Sequence, residues 1–349
     1  MSWEDNVRRV VPYVPGEQPA NPDVIKLNTN ENPYPPSPRV QQVLKDFEAG
    51  ILRKYPDPDN GRLTAALSEA YGIPAENIFV GVGSDDVLAM SFLAFFNGKK
   101  PVLFPDITYS FYPVWCDLFG ICYEKKALDE SFGIRVEDYL VPNGGIVIAN
   151  PNAPTGIAAE PEVMESIIHS NPDVVCIVDE AYVDFGGQSA LPLVGKYDNL
   201  LVVRTFSKSR SLAGSRIGFA FGSRKLIQYL NDVKFSFNSY TMDAVTTQIG
   251  AAALSDTAYF EKTKEQIIHT REEVKVQLEA LGFFVLPSAT NFLFVTHPDH
   301  KAADLFSKLK ENNIFVRYFN APRIDQYLRI TIGTDEEMRE LLRVLEDYV

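Results

Sequence analysis

Short apolar runs, each bounded by polar or turn-forming residues, recur through the first two thirds of the chain. They predict strands at 78–80, 101–104, 121–124, 145–149, 174–178, 200–203 and 217–221. Apolar residues at helical spacing lie between several of these runs, for example at 160–169. Strands that are apolar on both faces and alternate with helices favour an α/β fold with a largely parallel sheet covered on both sides.

After residue 221 the pattern changes to helices at 224–233, 242–254 and 259–281, followed by short strands and two further helices. Such an order fits a smaller α+β domain packed on the first. We predict an N-terminal arm at 1–30 that joins the small domain, a large domain at 31–238 and the small domain at 239–349. The arm is rich in proline, which excludes regular helix through most of it. A cleft between the two domains is the natural ligand site.

Composition excludes several classes of protein. The net charge of −13 argues against a nucleic-acid binder, and it means that an anionic substrate needs local arginines. The three cysteines and four histidines have no metal-ligand spacing, so we predict no metal. The first ten residues lack a signal-peptide core, and the longest apolar stretch, 87–96, is shorter than the ~20 residues that span a bilayer. We expect no membrane partner and a cytoplasmic location.

The segment 205–216 is the strongest candidate for chemistry. It follows a predicted buried strand, and it places Lys208 between hydroxyl residues with Arg216 eight positions on. A lysine amine condenses with an aldehyde cofactor, while Thr205, Ser207 and Arg216 offer donors for phosphate oxygens. The alternative is a polar loop whose lysine lies in water.

Other predicted strands also end in residues that suit such a cofactor. Asp179 follows the strand at 174–178, where its carboxylate suits a protonated pyridine nitrogen, and Tyr182 follows three residues later. The turn at 81–86 lies between a strand and a helix, so the free backbone N–H groups of the helix start form a candidate anion-binding site, called the anion seat below. Tyr109 is placed to stack on a planar ring. Each feature alone is more often a cap, a turn or a core residue. Their joint occurrence at successive strand ends is hard to explain as loops.

Eight blocks together carry a resemblance to a known family: 27–33 (LNTNENP), 53–56 (RKYP), 83–85 (GSD), 150–156 (NPNAPTG), 178–182 (VDEAY), 204–208 (RTFSK), 212–218 (LAGSRIG) and 328–333 (LRITIG). The chain resembles the pyridoxal-phosphate aminotransferases of fold type I over nearly its whole length. The lysine and aspartate blocks are specific for that superfamily. The blocks at 53–56 and 328–333 are similar to those of its histidinol-phosphate branch.

The resemblance implies a role for each candidate residue. Lys208 is implied to bind the cofactor aldehyde and to move the proton at the substrate Cα, with Asp179 at the pyridine nitrogen and Tyr182 at the phenolate oxygen. Tyr109 is implied to stack on the ring. The cofactor phosphate is assigned to Ser84, Asp85, Thr205, Ser207, Arg216 and, from a partner subunit, Tyr55. Substrate binding is assigned to Arg329 for the carboxylate, Arg317 for a second anionic group, Asn30 and Tyr55.

Two assignments stay open on the residues alone. Tyr55 is either a packed surface aromatic or a residue that reaches out, and 27–33 is either an Asx-rich turn or a substrate-facing loop. The family usually has asparagine where this chain has Ala153, so either Asn152 contacts the phenolate oxygen or Tyr182 takes over that contact.

The implied enzyme is a homodimer that transfers the amino group of glutamate, through pyridoxal phosphate, to imidazole acetol phosphate, giving 2-oxoglutarate and histidinol phosphate, with ping-pong kinetics. Threonine-phosphate decarboxylases and aromatic amino acid aminotransferases carry similar motifs and are the rivals within the enzymes. A ligand-binding module that keeps the fold without turnover is the rival from another class. The presence of Lys208, Asp179 and Arg329 speaks against that module.

Overall fold

The computed structural model describes residues 2–21 and 23–349. Met1 and Pro22, both in the predicted arm, lie outside the described residues. Ten α-helices are found there, and helices α1 to α10 span Pro38–Lys45, Gly61–Tyr71, Gly83–Phe95, Phe111–Phe119, Pro161–Ser170, Arg224–Phe237, Ala244–Ser255, Thr257–Ala280, Ala302–Glu311 and Asp335–Glu346. None of these described helices combines the length and the apolar character needed to cross a membrane.

Thirteen strands occur in the same residues, and β1 to β13 span Ile25–Lys26, Ile78–Val82, Val102–Pro105, Tyr123–Lys126, Gly145–Ala149, Cys176–Asp179, Leu200–Thr205, Ile217–Gly222, Phe284–Val285, Phe292–Thr296, Ile314–Phe315, Arg317–Tyr318 and Leu328–Thr331. Seven of them form the main sheet in the order β2-β8-β7-β6-β5-β3-β4. All neighbours from β7 to β4 pair in parallel, whereas β8 is antiparallel to both β2 and β7. The predicted α/β fold with a mostly parallel sheet is therefore confirmed.

Both faces of this sheet are buried, because successive side chains of a strand point to opposite sides. In β6, Cys176 and Val178 pack with α1, α2, α5 and α7 residues in one cluster, while Ile177 packs with α3, α4 and α6 residues in another. The strands are apolar without alternation because each face has its own layer of helices.

The second unit is a four-stranded antiparallel sheet in the order β12-β13-β10-β9. Its apolar face packs with α8, α9 and α10 in a separate core. Strand β1 from the arm pairs in parallel with β11, and Leu27 is buried in that same core. Residues 25–27 thus pack on this unit, while the extent of the arm stays a prediction.

The division at 238/239 stays a prediction, but the packing of α7 favours a later boundary. Ile249, Ala253 and Leu254 of α7 belong to the core beneath the seven-stranded sheet. The first helix that contributes to the small core is α8, through Ile267, Val274 and Leu278. The sequence shows only that 242–254 is helical, not which sheet it covers.

Candidate active site

A cavity lies at the carboxyl ends of the parallel strands. The last residues of β5, β6 and β7, which are Ala149, Asp179 and Thr205, all line it. This edge of a parallel sheet is where α/β folds hold their ligands. Nine of the predicted site residues meet there, and they are Ser84, Asp85, Tyr109, Asp179, Tyr182, Thr205, Ser207, Lys208 and Arg216.

Lys208 reaches this cavity from the loop that follows β7. Its Nζ donates to the carbonyl oxygen of Thr29 at 3.2 Å and lies 5.6 Å from the centre of the Tyr182 ring. Its own carbonyl oxygen accepts from Asn32 Nδ2 at 3.0 Å, which fixes the loop from behind. The amine is therefore held at the wall of the cavity and not in bulk water.

Asp179 is buried at the end of β6 without a cation beside it in the described chain. Its Oδ2 accepts from the Tyr112 hydroxyl at 2.9 Å, and its Oδ1 accepts from the backbone N–H of Ala181 at 3.2 Å. Burial raises the pKa of Asp179 to about 6, and the two donors act in the opposite direction. Such a carboxylate is suited to face a cation supplied by a ligand.

The start of α3, which also lines the cavity, is suited to bind an anion. Helix α3 begins at Gly83, four residues earlier than the sequence predicts, and its N-cap residue makes no side-chain capping bond among the residues described. Its backbone N–H groups and the positive end of the helix dipole therefore face the cavity at Ser84. Gly218 permits this geometry, since a Cβ there would lie 2.3 Å from the backbone nitrogen of Ser84.

Arg216 and Asp85 form an ion pair beside this helix start. Arg216 Nη2 donates to Asp85 Oδ2 at 2.8 Å, and Tyr109 donates its hydroxyl proton to Asp85 Oδ1 at 2.8 Å. Asp85 thus positions the guanidinium and the aromatic ring, while its own carboxylate would repel a phosphate. Arg216 has φ +53°, an uncommon conformation for a residue other than glycine.

A second, buried ion pair lies next to the hydroxyl residues at the end of β7. Arg204 Nε donates to Glu180 Oε2 at 2.9 Å and so joins the residues next to Thr205 and Asp179. Thr205 in turn donates to Ser207 Oγ at 2.9 Å. The pair thus links the ends of β6 and β7, and each of its buried charges is compensated by the other.

Asn152 does not reach the cavity wall. Its Nδ2 donates to the Ile107 carbonyl and to Thr155 Oγ1, both at 3.0 Å, and its Oδ1 accepts from Thr108. Ala153 lines the cavity in its place. The interpretation in which Asn152 takes over from the usual asparagine is therefore not favoured, because the loop itself uses the amide.

Arg329 lies on β13, on the side of the small domain. Its Nη2 donates to the Asn28 carbonyl at 3.0 Å, while its Nε is buried without a partner among the residues described. Burial lowers the pKa of Arg329, and the positive charge of Arg317 acts in the same direction. A guanidinium with an unpaired N–H group is suited to bind a carboxylate or phosphate through two hydrogen bonds.

A second cavity of about 700 Å³ adjoins the first at Tyr109. Arg317 lines it and lies 5.5 Å from the ring centre of Phe319. Arg323 lines it too, but Asp106 neutralises Arg323 at 3.1 Å. Arg317 is therefore the better placed of the two for an incoming anion.

Tyr55 is not brought to either cavity of its own chain. The side chain is 82% exposed and stacks on Tyr240, with ring centres 4.7 Å apart. Asn30, by contrast, is buried, and its Nδ2 donates to the Tyr182 hydroxyl at 2.8 Å.

Sequence reasoning missed two contacts, those of Tyr112 and Asn32. Tyr112 lies three residues after Tyr109, in the first turn of α4, and is fully buried. A buried tyrosine hydroxyl needs a partner, which is the only signal that the sequence offers. Asn32 belongs to the polar cluster whose role stays open on the sequence.

Comparisons with known proteins agree with this geometry. The profile of the family described as "Aminotransferase class I and II" matches residues 22–345. The histidinol-phosphate aminotransferase of Lactococcus lactis subsp. cremoris is 52% identical over 349 residues, covering 100% of this chain and 98% of that protein. Histidinol-phosphate aminotransferase 1 of Pseudomonas aeruginosa is 52% identical over 343 residues, covering 98% of each.

Among solved structures, histidinol-phosphate aminotransferase from Sinorhizobium meliloti in complex with pyridoxal-5'-phosphate superposes with a TM-score of 0.84 and 25% identity. The match covers 93% of this chain and 90% of that one. The chain belongs to the class I and II aminotransferases, and within that family it groups with the histidinol-phosphate aminotransferases.

Proposed function

We propose that the chain is a pyridoxal-phosphate-dependent histidinol-phosphate aminotransferase. The reaction is histidinol phosphate and 2-oxoglutarate to imidazole acetol phosphate and glutamate, in either direction. One observation carries this proposal: Lys208, Asp179, Tyr109 and Arg216 line a single cavity in a chain that is 52% identical over its full length to enzymes of that name.

The donor set of the cavity fits pyridoxal phosphate. An anion seat at the start of α3, with Arg216 beside it, suits the phosphate, and Asp179 suits the ring nitrogen. Tyr109 suits the ring face, and Tyr182 suits the phenolate oxygen. Bound there, the cofactor supplies an aldehyde and an electron-withdrawing ring.

Lys208 has two tasks in this proposal. Its Nζ would hold the cofactor through the aldehyde, and as a free amine it would accept the proton from the substrate Cα. Asp179 holds the ring nitrogen protonated. It is suited to that because a buried carboxylate gains most from a cation directly beside it.

The arginines of the small-domain side select the substrate. Arg329 binds the anionic group next to the amino carbon, which is the α-carboxylate of glutamate. Arg317 binds a second anionic group of the substrate. Because the chain carries a net charge of −13, these local cations are needed to attract a dianionic substrate.

A second copy of the chain completes the site. Tyr55 is exposed and stacks on Tyr240. Leu52 and Phe237, each three residues before one of these tyrosines in the chain, are exposed too, with Phe237 72% exposed. Several large apolar side chains exposed in two neighbouring segments are consistent with an interface. We propose a homodimer in which Tyr55 reaches the cofactor phosphate of the other subunit.

The test is a pair of half-reactions. Purified protein loaded with pyridoxal phosphate is mixed with glutamate alone, and release of 2-oxoglutarate and the change in visible absorbance are followed. After removal of glutamate, imidazole acetol phosphate is expected to restore the original spectrum and to yield histidinol phosphate. Two independent half-reactions of this kind produce ping-pong kinetics.

The matched controls are imidazole acetol, which lacks the phosphate, and O-phosphothreonine. Slow reaction with imidazole acetol supports recognition of the phosphate. Carbon dioxide release from O-phosphothreonine without amino transfer from glutamate contradicts the proposal and identifies a decarboxylase instead.

A further inference from the structure

A short segment of the arm, residues 28–30, supports the candidate site from outside the cavity. The Asn28 carbonyl accepts from Arg329 at 3.0 Å, and the Thr29 carbonyl accepts from Lys208 at 3.2 Å. The side chain of the next residue, Asn30, contacts the Tyr182 hydroxyl. None of the three lines the cavity, so their effect on it passes through the residues they hold.

The Asn30 amide is itself oriented by Thr331 of β13. The backbone N–H of Asn30 donates to Thr331 Oγ1 at 3.0 Å, and the Thr331 hydroxyl donates to Asn30 Oδ1 at 3.0 Å. Thr331 is 2% exposed, so its hydroxyl proton needs an acceptor inside the protein. If the amide were reversed, that proton would have no acceptor among the described residues, and Nδ2 must therefore face Tyr182.

The orientation of Nδ2 determines the role of the tyrosine hydroxyl. An amide nitrogen only donates, so the Tyr182 oxygen accepts from Asn30 at 2.8 Å. A phenol has a single proton, and that proton must then point away from Asn30. Tyr182 lines the cavity, so its proton is available to an oxygen atom bound there.

We propose that Asn30 is a positioning residue that makes Tyr182 a hydrogen-bond donor to the bound cofactor. The inference rests on the proposed function, in which Tyr182 contacts the phenolate oxygen of pyridoxal phosphate. It replaces the sequence prediction that Asn30 binds substrate, because the amide oxygen and one amide N–H are already engaged within the protein.

The backbone of Asn30 guides the choice of variants. Its φ is +59°, in the left-handed region, so Asn30→Gly retains the backbone while removing the amide. Asn30→Asp keeps the size of the side chain but replaces the donor with an acceptor, which draws the Tyr182 proton out of the cavity. Asn313→Gly is the matched control, since Asn313 has the same φ of +59° and is exposed.

Two measurements report on the hydroxyl without using turnover. The first is the Kd of the ligand-free protein for pyridoxal phosphate, and the second is the pH midpoint of the visible absorbance of the loaded protein. A lost donor leaves the phenolate oxygen more basic, so the midpoint is expected to rise by about one pH unit in Asn30→Asp. Its Kd is expected to rise about tenfold. Asn30→Gly is expected to show about a threefold rise in Kd, and Asn313→Gly less than twofold.

A double-mutant cycle with Tyr182→Phe tests whether the effect of Asn30 depends on the Tyr182 hydroxyl. If Asn30 acts through Tyr182, Asn30→Gly changes neither Kd nor midpoint further in the Tyr182→Phe background. If Asn30→Gly shifts Kd and the pH midpoint equally in the parent and in Tyr182→Phe, the inference is overturned while the proposed function stands. The same holds if Tyr182→Phe shifts either quantity and neither Asn30 variant does so. Failure of the parent protein to bind pyridoxal phosphate overturns the proposed function and this inference with it. Circular dichroism establishes that each variant is folded.

Discussion

The two sides of the cavity differ in how their buried charges are compensated. On the large-domain side, both oxygens of the Asp179 carboxylate accept hydrogen bonds, from Tyr112 and Ala181. On the small-domain side, Arg329 donates to one carbonyl, and its Nε has no partner in the part of the chain that the structure describes. The hydrogen bonds of Asp179 are thus provided by the fold, whereas Arg329 keeps a donor that a bound ligand can use.

This difference fits a site that holds one ligand permanently and exchanges another. At the proposed cofactor end, Asp85 accepts hydrogen bonds from both Arg216 and Tyr109 before a ligand binds. A preorganised site loses little entropy on binding, which favours a resident cofactor. An incompletely paired guanidinium gains most from an anion that arrives with each turnover.

Lys208 lies between the two sides, and its removal is expected to have the largest effect. Lys208→Ala should lower kcat by more than about 10⁴-fold, since both the covalent attachment and the proton transfer are lost. The visible absorbance of the loaded protein should change as well. Lys225→Ala, at an exposed position on α6, is the matched control. Retention of more than a few per cent of the parent kcat would remove Lys208 from the mechanism.

Arg329→Gln tests whether the substrate side depends on its unpaired guanidinium. We expect kcat/KM to fall about 10²–10³-fold for glutamate and for alanine alike, because both present an α-carboxylate. Arg317→Gln should cost about tenfold for glutamate and nothing for alanine, which lacks a second anionic group. If Arg329→Gln changes cofactor affinity more than it changes kcat/KM for glutamate, Arg329 does not belong to a separate substrate side of the cavity.

The sequence predicts the residues at the strand ends of the site better than it predicts the contacts that position them. The residues at strand ends, such as Asp179, Thr205 and Lys208, are predictable because buried parallel strands deliver their ends to one edge of the sheet. Tyr112 was missed because its contact with Asp179 depends on how α4 crosses the sheet, which no local pattern records. The sequence places the start of α3 too late, since Gly83 and Ser84 are typical of a turn. In the structure they begin the helix and lie against Gly218, which has no Cβ to prevent the approach.

Asn152 shows a second limit of the sequence. Asn152 and Ala153 are neighbours in a loop, and the loop composition does not determine which of the two side chains faces the cavity. The hydrogen bonds to Ile107, Thr108 and Thr155 decide it, and two of those partners lie more than forty residues away. Long-range contacts of this kind are set by tertiary packing alone.

Asp179→Asn tests, in the ligand-free protein, how far the fold compensates the buried charge of the Asp179 carboxylate. The carboxyl has a pKa of about 6 in the fold and an ordinary value of 3.8. Between about pH 4 and pH 6 the unfolded chain therefore loses the proton while the fold retains it, so the parent loses stability as the pH rises. Relative to Asp179→Asn, the parent should lose about 3 kcal/mol of unfolding free energy over that interval, and nothing more above it.

Urea unfolding of both proteins at pH 4, 6 and 8 measures that difference. Taking the difference between the two proteins removes the titration of all other groups. Tyr112 is compatible with the substitution, because its hydroxyl can accept from the new amide. A stability difference that is the same at pH 4 and pH 8 would mean that the buried carboxylate is better compensated than its hydrogen bonds indicate.

Tyr55→Phe is the smallest of these tests and asks whether the cofactor end is complete within one chain. If Tyr55 of a partner subunit donates to the cofactor phosphate, loss of its hydroxyl should raise the Kd for pyridoxal phosphate about five- to tenfold. The ring and its stacking on Tyr240 remain, so dimerisation should not change. Tyr240→Phe is the matched control, because it removes a hydroxyl from the same exposed pair without removing the proposed donor. Equal effects of the two substitutions would assign Tyr55 to the packing of that surface and would leave the cofactor end as a site that a single chain completes by itself.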